Sequence, residues 1–186
     1  MPTVFENSVV TVTLTDAVTV DLELWDTAGQ EEYDKLRPFC YANADVALVA
    51  FSVDNRASLL NVQQKWIAEA LKECPNIPIV LVGLKCDLRD GAVQDQAVST
   101  EMASTAAVNL SAMYLSQSRS RHFFNRIKPL NSSMATFPYL HAIKYIECSS
   151  REGRGVDQVF EHATRAAMMY REFLTRKNNK RTCLIL

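Results

Sequence analysis

Residues Asp45–Ser52 read DVALVAFS and Ile77–Leu84 read IPIVLVGL. Both are short, nearly continuous apolar runs. Strands buried on both faces look like this, as in a parallel sheet covered by helices. Between them, Ala57–Glu73 places Leu59, Val62, Trp66 and Ala70 at spacings of 3, 4 and 4, a helical stripe. Strand, helix and strand in that order predict a right-handed crossover between parallel neighbours.

Upstream, Val9–Leu14 and Val18–Trp25 are rich in β-branched residues and flank Thr15-Asp16-Ala17. Val18, Val20, Leu22 and Leu24 share one face of the second run, and Thr19, Asp21 and Glu23 share the other. This predicts an antiparallel hairpin with one buried face. Downstream, Lys144–Cys148 (KYIEC) is a further short strand. Val156–Lys177 is a long amphipathic helix with Phe160, Ala163, Ala167, Tyr170 and Leu174 on one side. The whole predicts an α/β fold with a mostly parallel sheet flanked by helices.

The 186 residues suit one domain, and 48% hydrophobic content is enough for a core. Lys plus Arg is 20 and Asp plus Glu is 21, for a net charge of −1, which excludes a strong global field for nucleic acid. No run approaches the roughly 20 apolar residues of a membrane span. MPTVFENSVV lacks the charged and apolar regions of a secretory leader. Five scattered cysteines without a C-x-x-C pair argue against a disulfide framework or zinc site and favour a reducing compartment.

Ala103–Leu140 stands apart. It has no Asp or Glu, carries a Ser-Arg-Ser-Arg repeat, and shows no helical or strand period. The expectation is an atypical surface loop. Foreign sequence and a weak nucleic-acid contact are the other readings.

The stretch richest in chemistry is Trp25-Asp26-Thr27-Ala28-Gly29-Gln30, where the second strand ends. Ligands in open α/β sheets bind outside the carboxyl ends of strands. Asp26 can hold a hard cation directly or through water. Gly29 lets a backbone N–H approach a phosphate with no side chain in the way. Gln30, both donor and acceptor, can orient a water. A plain strand-to-helix turn is the alternative.

WDTAGQEEYDKLRPFCY resembles the switch II segment of Ras-superfamily GTPases, specifically the Rho family. PTVFEN resembles the end of Rho switch I, CPNIPIVLVGLKCDLRD the strand and guanine-specificity motif, and YIECSS the later base-contacting motif. VDQVFEHATRAAM resembles the last helix of the family, and the terminal Cys-Leu-Ile-Leu its prenylation box. The resemblance implies a Ras-like P-loop NTPase fold and a slow GTPase acting as a switch in actin organisation and cell polarity. GTP or GDP and Mg²⁺ are the implied ligands. Thr3 would bind Mg²⁺ and sense the γ-phosphate, and Asp26 would reach Mg²⁺ through water. Thr27, Ala28 and Gly29 would form the γ-phosphate loop, and Gln30 would orient the attacking water. Asp87 would accept from the guanine edge, Lys85 would pack over the nucleotide, and the Ser149-Ser150 backbone would donate to the guanine oxygen. Pro2, Thr3, Val4, Phe5, Glu6 and Asn7 would form the effector region. Exchange factors, GTPase-activating proteins, a dissociation inhibitor and effectors are the implied partners.

The chain also departs from the family pattern. Leu84 stands where the specificity motif begins with Asn or Thr, and leucine cannot make that hydrogen bond, worth about 1 kcal/mol. Ser149-Ser150-Arg151 replaces the commoner Ser-Ala-Lys. No glycine is followed by the Lys of a G-x-x-x-x-G-K-[ST] phosphate loop. The expectation is an incomplete GTPase domain over 1–177 that lacks the first strand, the P-loop and the first helix. Nucleotide binding would be weak, and Val18–Trp25 and Asp45–Ser52 would be left with unpaired edges. Residues 178–186 would form a basic tail ending in the prenylation box. A final Leu favours geranylgeranylation of Cys183. Arg176, Lys177, Lys180 and Arg181 would supply the second membrane signal. The rival reading is a nucleotide-free, membrane-anchored interaction module or a non-functional fragment.

Overall fold

The computed structural model describes residues 5–91, 96–117 and 143–177. The chain opens with a hairpin, β1 (Phe5–Thr13) and β2 (Thr19–Thr27), paired antiparallel from Phe5↔Thr27 to Thr13↔Thr19. The turn closes with Leu14 N–H on Val18 O at 2.8 Å, and Ala17 takes φ 63° to complete the reversal. Leu22 is buried as expected, but Val18 lies at the hairpin end and is exposed.

A short helix α1 (Arg37–Tyr41) follows, then β3 (Ala47–Ser52). The Ala57–Glu73 stripe folds as α2 (Arg56–Asn61), a π-helical turn (Val62–Trp66) and α3 (Ile67–Glu73). The Asn55 side chain caps α2, accepting from the N–H groups of Ala57 and Ser58. β4 (Ile79–Leu84), α4 (Thr100–Gln117), β5 (Lys144–Glu147) and α5 (Val156–Lys177) complete the fold.

β3, β4 and β5 form one parallel sheet in that order, with Ala47↔Ile79 and Val80↔Lys144 in register. Alternation along β4 explains its continuous apolar run. Ile79 and Leu81 join a core with Phe51, Val62, Ile67, Ala103 and Leu110 on one face. Val80 and Val82 join Leu22, Val159, Ala163 and Ala167 of the hairpin and α5 on the other. The architecture is the expected Ras-like one, a parallel sheet flanked by helices.

Two expectations need correction. The acid-free stretch begins as helix, since α4 runs through Gln117. Ala103, Ala106, Ala107, Leu110 and Tyr114 are buried, but exposed Val108 and the spread of small residues erase the polar contrast that reveals a period. The rest of that stretch, 118–140, lies outside the described residues. The run through β3 is covered on both sides, by Ala47, Val49 and Phe51 on one and Val46 and Leu48 on the other, except at Ala50, which is exposed.

The hairpin and the three-stranded sheet are separate, with no β2–β3 pairing. A groove of about 470 Å³ separates them, lined by Leu24, Trp25, Asp26 and Thr27 of β2 and by Ala47, Leu48, Val49 and Ala50 of β3. Consecutive rather than alternate residues line each wall. The groove therefore runs between strand edges, as expected of two neighbours without a strand between them. The inner face of the hairpin, Leu22 with Val12, Val20 and Leu24 beside it, packs into the core under α5, and polar contacts at its turn add to this. The Thr15 hydroxyl donates to Glu161 at 2.7 Å, and Arg165 meets Asp16 at 3.2 Å and Glu161 at 3.0 Å.

Candidate functional site

The ends of β4 and β5 bring two distant loops together. Cys148 N–H donates to Gly83 O at 2.8 Å, and Cys86 N–H to Cys148 O at 3.1 Å. Gly83 permits this closeness, since a Cβ there would lie 2.7 Å from the Tyr145 hydroxyl. Lys85 adopts φ 59°, an uncommon conformation for a residue with a side chain, and leaves its side chain exposed. A 3₁₀ turn, Cys86–Gly91, follows.

Within this turn Asp87 retains only 8% side-chain exposure. A hydrogen bond from Ser149 holds its carboxyl below the usual aspartate range, and the Arg151 and Arg154 charges add to the effect. Asp87 and Ser149, 62 residues apart in the sequence, thus meet. Ser149 N–H is consumed by Arg154 O at 2.8 Å, so of the expected Ser149-Ser150 donors it is exposed Ser150 that faces outward.

A second layer braces the turn. Arg89 donates to both Glu147 oxygens, at 2.7 and 2.5 Å, and Tyr145 and Thr100 donate to Glu147 Oε1 at 2.6 and 2.9 Å. Burial opposes ionisation of Glu147, but these bonds outweigh it and hold the carboxyl below its usual range. Leu84, the departure from the family motif, is 38% exposed at the rim.

The other half of the site is the loop after β2. Asp26 is exposed at the strand end, Ala28 is buried, and Gly29 and Gln30 are exposed. A Cβ at Gly29 would meet only the Trp66 ring edge at 3.7 Å, an ordinary contact. Glycine is therefore not demanded there by packing. Arg37, 3% exposed, sits beneath the loop and contacts Glu69, Asp34 and the carbonyls of Ala28 and Gln30. Trp66 carries the Arg37 guanidinium at 4.9 Å and the Lys65 ammonium at 4.8 Å from its ring centre.

Sequence reasoning missed Arg37, Glu69, Arg89 and Glu147. No local period marks them, because their roles depend on pairing across 32 and 58 residues. Phe5, Glu6 and Asn7 fall on β1, where Glu6 pairs Asp26 and Asn7 pairs Trp25 in register. Pro2, Thr3, Val4 and Cys183 lie outside the described residues.

A parallel sheet with ligand-facing turns after its strands is the architecture of Ras-like nucleotide-binding domains. The family model described as "Ras family" matches residues 1–127, and the chain belongs to that family. Its relatives are of the Rho type. It is 42% identical over 185 residues to the GTP-binding protein RHO2 of Saccharomyces cerevisiae, spanning 100% of this chain and 81% of that protein. It is 41% identical over 186 residues to the GTP-binding protein RHO1 of Candida albicans, with the same coverage. The GTP-binding protein rho2 of Schizosaccharomyces pombe is 42% identical over 185 residues, again covering 100% and 81%.

Proposed function

We propose that this chain is a Rho-type guanine-nucleotide switch whose base pocket is Lys85, Asp87 and Ser149-Ser150 and whose terminal-phosphate loop is Asp26–Gln30. The observation that carries the reading is the meeting of Asp87 and Ser149 beside a left-handed Lys85. An ionised, oriented carboxylate can accept two hydrogen bonds from a guanine edge, which an adenine edge cannot offer. Exposed Ser150 supplies a donor for the base oxygen.

At the other end, the Gly29 N–H meets the terminal phosphate. Gln30 holds a water in line with the γ-phosphorus. The water oxygen bonds to phosphorus as the bond to the β–γ bridging oxygen breaks and the water's proton passes to a phosphate oxygen, giving GDP and inorganic phosphate. Mg²⁺, when bound, neutralises the phosphate charge. Among the described residues no group of three or more His, Cys, Asp or Glu could hold a metal ion. Asp26 fits the limited role of one carboxylate reaching Mg²⁺ through water, with phosphates and water as its main ligands. Thr3 would add a further oxygen. The phosphate-loop motif is not among these 186 residues.

Regulators and effectors of the Rho type, namely exchange factors, activating proteins, a dissociation inhibitor and effectors, would read the loop and β1. Leu36 and Phe39, 42% and 77% exposed beside the loop, offer them an apolar contact. Geranylgeranyl at Cys183 with the basic tail would place the protein at a membrane. No described helix is long and apolar enough to cross one. Single-turnover phosphate release at saturating GTP tests the reading. Slow release that Gln30→Leu abolishes supports it, and release indifferent to Gln30 refutes it. Cys183→Ser is expected to move the protein from the membrane pellet to the supernatant.

A further inference from the structure

We infer that Arg37 is the positioning residue that aims the Gly29 N–H at the terminal phosphate, with Glu69 on α3 as its anchor; this rests on the switch reading above. All five guanidinium N–H groups have an acceptor. Nε donates to Glu69 Oε1 at 2.8 Å and Nη2 to Glu69 Oε2 at 2.9 Å. Nη2 also pairs with Asp34. Nη1 donates to Ala28 O at 3.1 Å and to Gln30 O at 3.2 Å.

The last two contacts carry the argument. They grip the carbonyls on either side of Gly29. A trans peptide is planar, so the Ala28 C=O and the Gly29 N–H point in opposite directions. Holding the Ala28 oxygen against Arg37 turns the Gly29 N–H away from the guanidinium, at a residue that is itself exposed. Gln30 O also accepts from Tyr33 N–H at 3.1 Å, which fixes the far side of the loop.

Glu69 keeps the guanidinium in place. Tyr41 donates to Glu69 Oε1 at 3.2 Å, and Lys65 reaches Asp34 at 3.3 Å. Trp66 packs against both cations, and its ring edge lies on the side where a Cβ at Gly29 would project. The loop's aim therefore depends on α3 and the π-helical turn. A lysine at position 37 keeps the charge, but its three donors cannot serve five acceptors in one plane.

The test uses the ¹⁵N-labelled full chain and its Arg37→Lys and Glu69→Gln variants. Without nucleotide, both substitutions should shift the Gly29 amide resonance and speed its exchange, while those of Gly153 and Gly155 stay in place. With nucleotide, the ratio of non-hydrolysable GTP analogue affinity to GDP affinity should fall about tenfold, the worth of one hydrogen bond to a charged oxygen. GDP affinity should hold, because this N–H faces only the terminal phosphate. An unmoved Gly29 resonance overturns the inference. So does an equal loss of both nucleotides with all three glycines shifted, which means general loosening. Should the unsubstituted chain bind neither nucleotide, the switch reading fails, and the amide measurements still decide whether Arg37 sets the loop.

Discussion

Arg89 grips both carboxylate oxygens of Glu147, joining the turn that carries Asp87 to the last strand of the sheet. A two-pronged guanidinium contact fixes orientation as well as distance. Asp87, two residues before Arg89, inherits that fixed geometry.

Glu147→Gln should therefore destabilise the chain by about 2 kcal/mol at neutral pH, since it removes charge from partly buried hydrogen bonds. The folded carboxyl titrates below the ordinary glutamate value of 4.5. Its contribution is then complete above that value and lost as pH falls through the lowered folded value. Urea melts of both proteins should differ at pH 7 and converge as the pH falls below the ordinary glutamate range. A gap that widens in acid would contradict the assignment.

Gly155 and Gly153 separate strain from collision. Both have positive φ, 74° and 66°. A Cβ at Gly155 would lie 2.2 Å from Glu147 O, whereas one at Gly153 meets nothing within 4 Å. Gly153→Ala should cost about 1 kcal/mol from backbone strain alone. Gly155→Ala should cost at least about 3 kcal/mol or abolish folding, because the collision is with backbone. Equal melting temperatures would overturn this.

Gly29→Ala should leave the melt within about 0.5 kcal/mol of the parent, as befits an exposed position with an ordinary contact. It should nonetheless weaken GTP analogue binding, since a methyl group then stands where the phosphate approaches. Loss of stability without loss of binding would place the glycine in the fold rather than in the site.

Elements with strong period or strong apolar continuity were legible from residues alone. β4 and α5 are the clearest, since β4 alternates its contacts between two cores and α5 repeats one apolar face, Val159, Ala163 and Ala167, against a single core. The hairpin was legible as well, although its strands extend beyond the alternating core because main-chain pairing continues through polar Asn7 and Asp26. α4 was not, for alanine marks no face. The π-helical turn was hidden too, because Leu59, Val62, Trp66 and Ala70 fit an ordinary helix. The site divides the same way. Gly29, Gln30 and Asp87 were visible as motif residues, while the Arg37–Glu69 and Arg89–Glu147 pairs arise only when the chain folds.

The open edges of β2 and β3 carry a liability. Unpaired strand edges template association between chains. Light scattering should show concentration-dependent self-association, reduced by Ala50→Lys, which sets a charge on the exposed wall of the groove. Association unaffected by that charge would place the contact elsewhere.

The central claim is that the turns after β4 and β5 recognise guanine. Titration of the full chain with fluorescent GDP tests it most directly, with competing nucleotides and with Asp87→Asn. Saturable binding is expected, displaced by GDP but not by ADP, and reduced at least about tenfold in the variant, whose amide turns a donor toward one of the two guanine N–H groups. Absence of binding, or binding that ADP displaces equally and Asp87→Asn leaves intact, would contradict it.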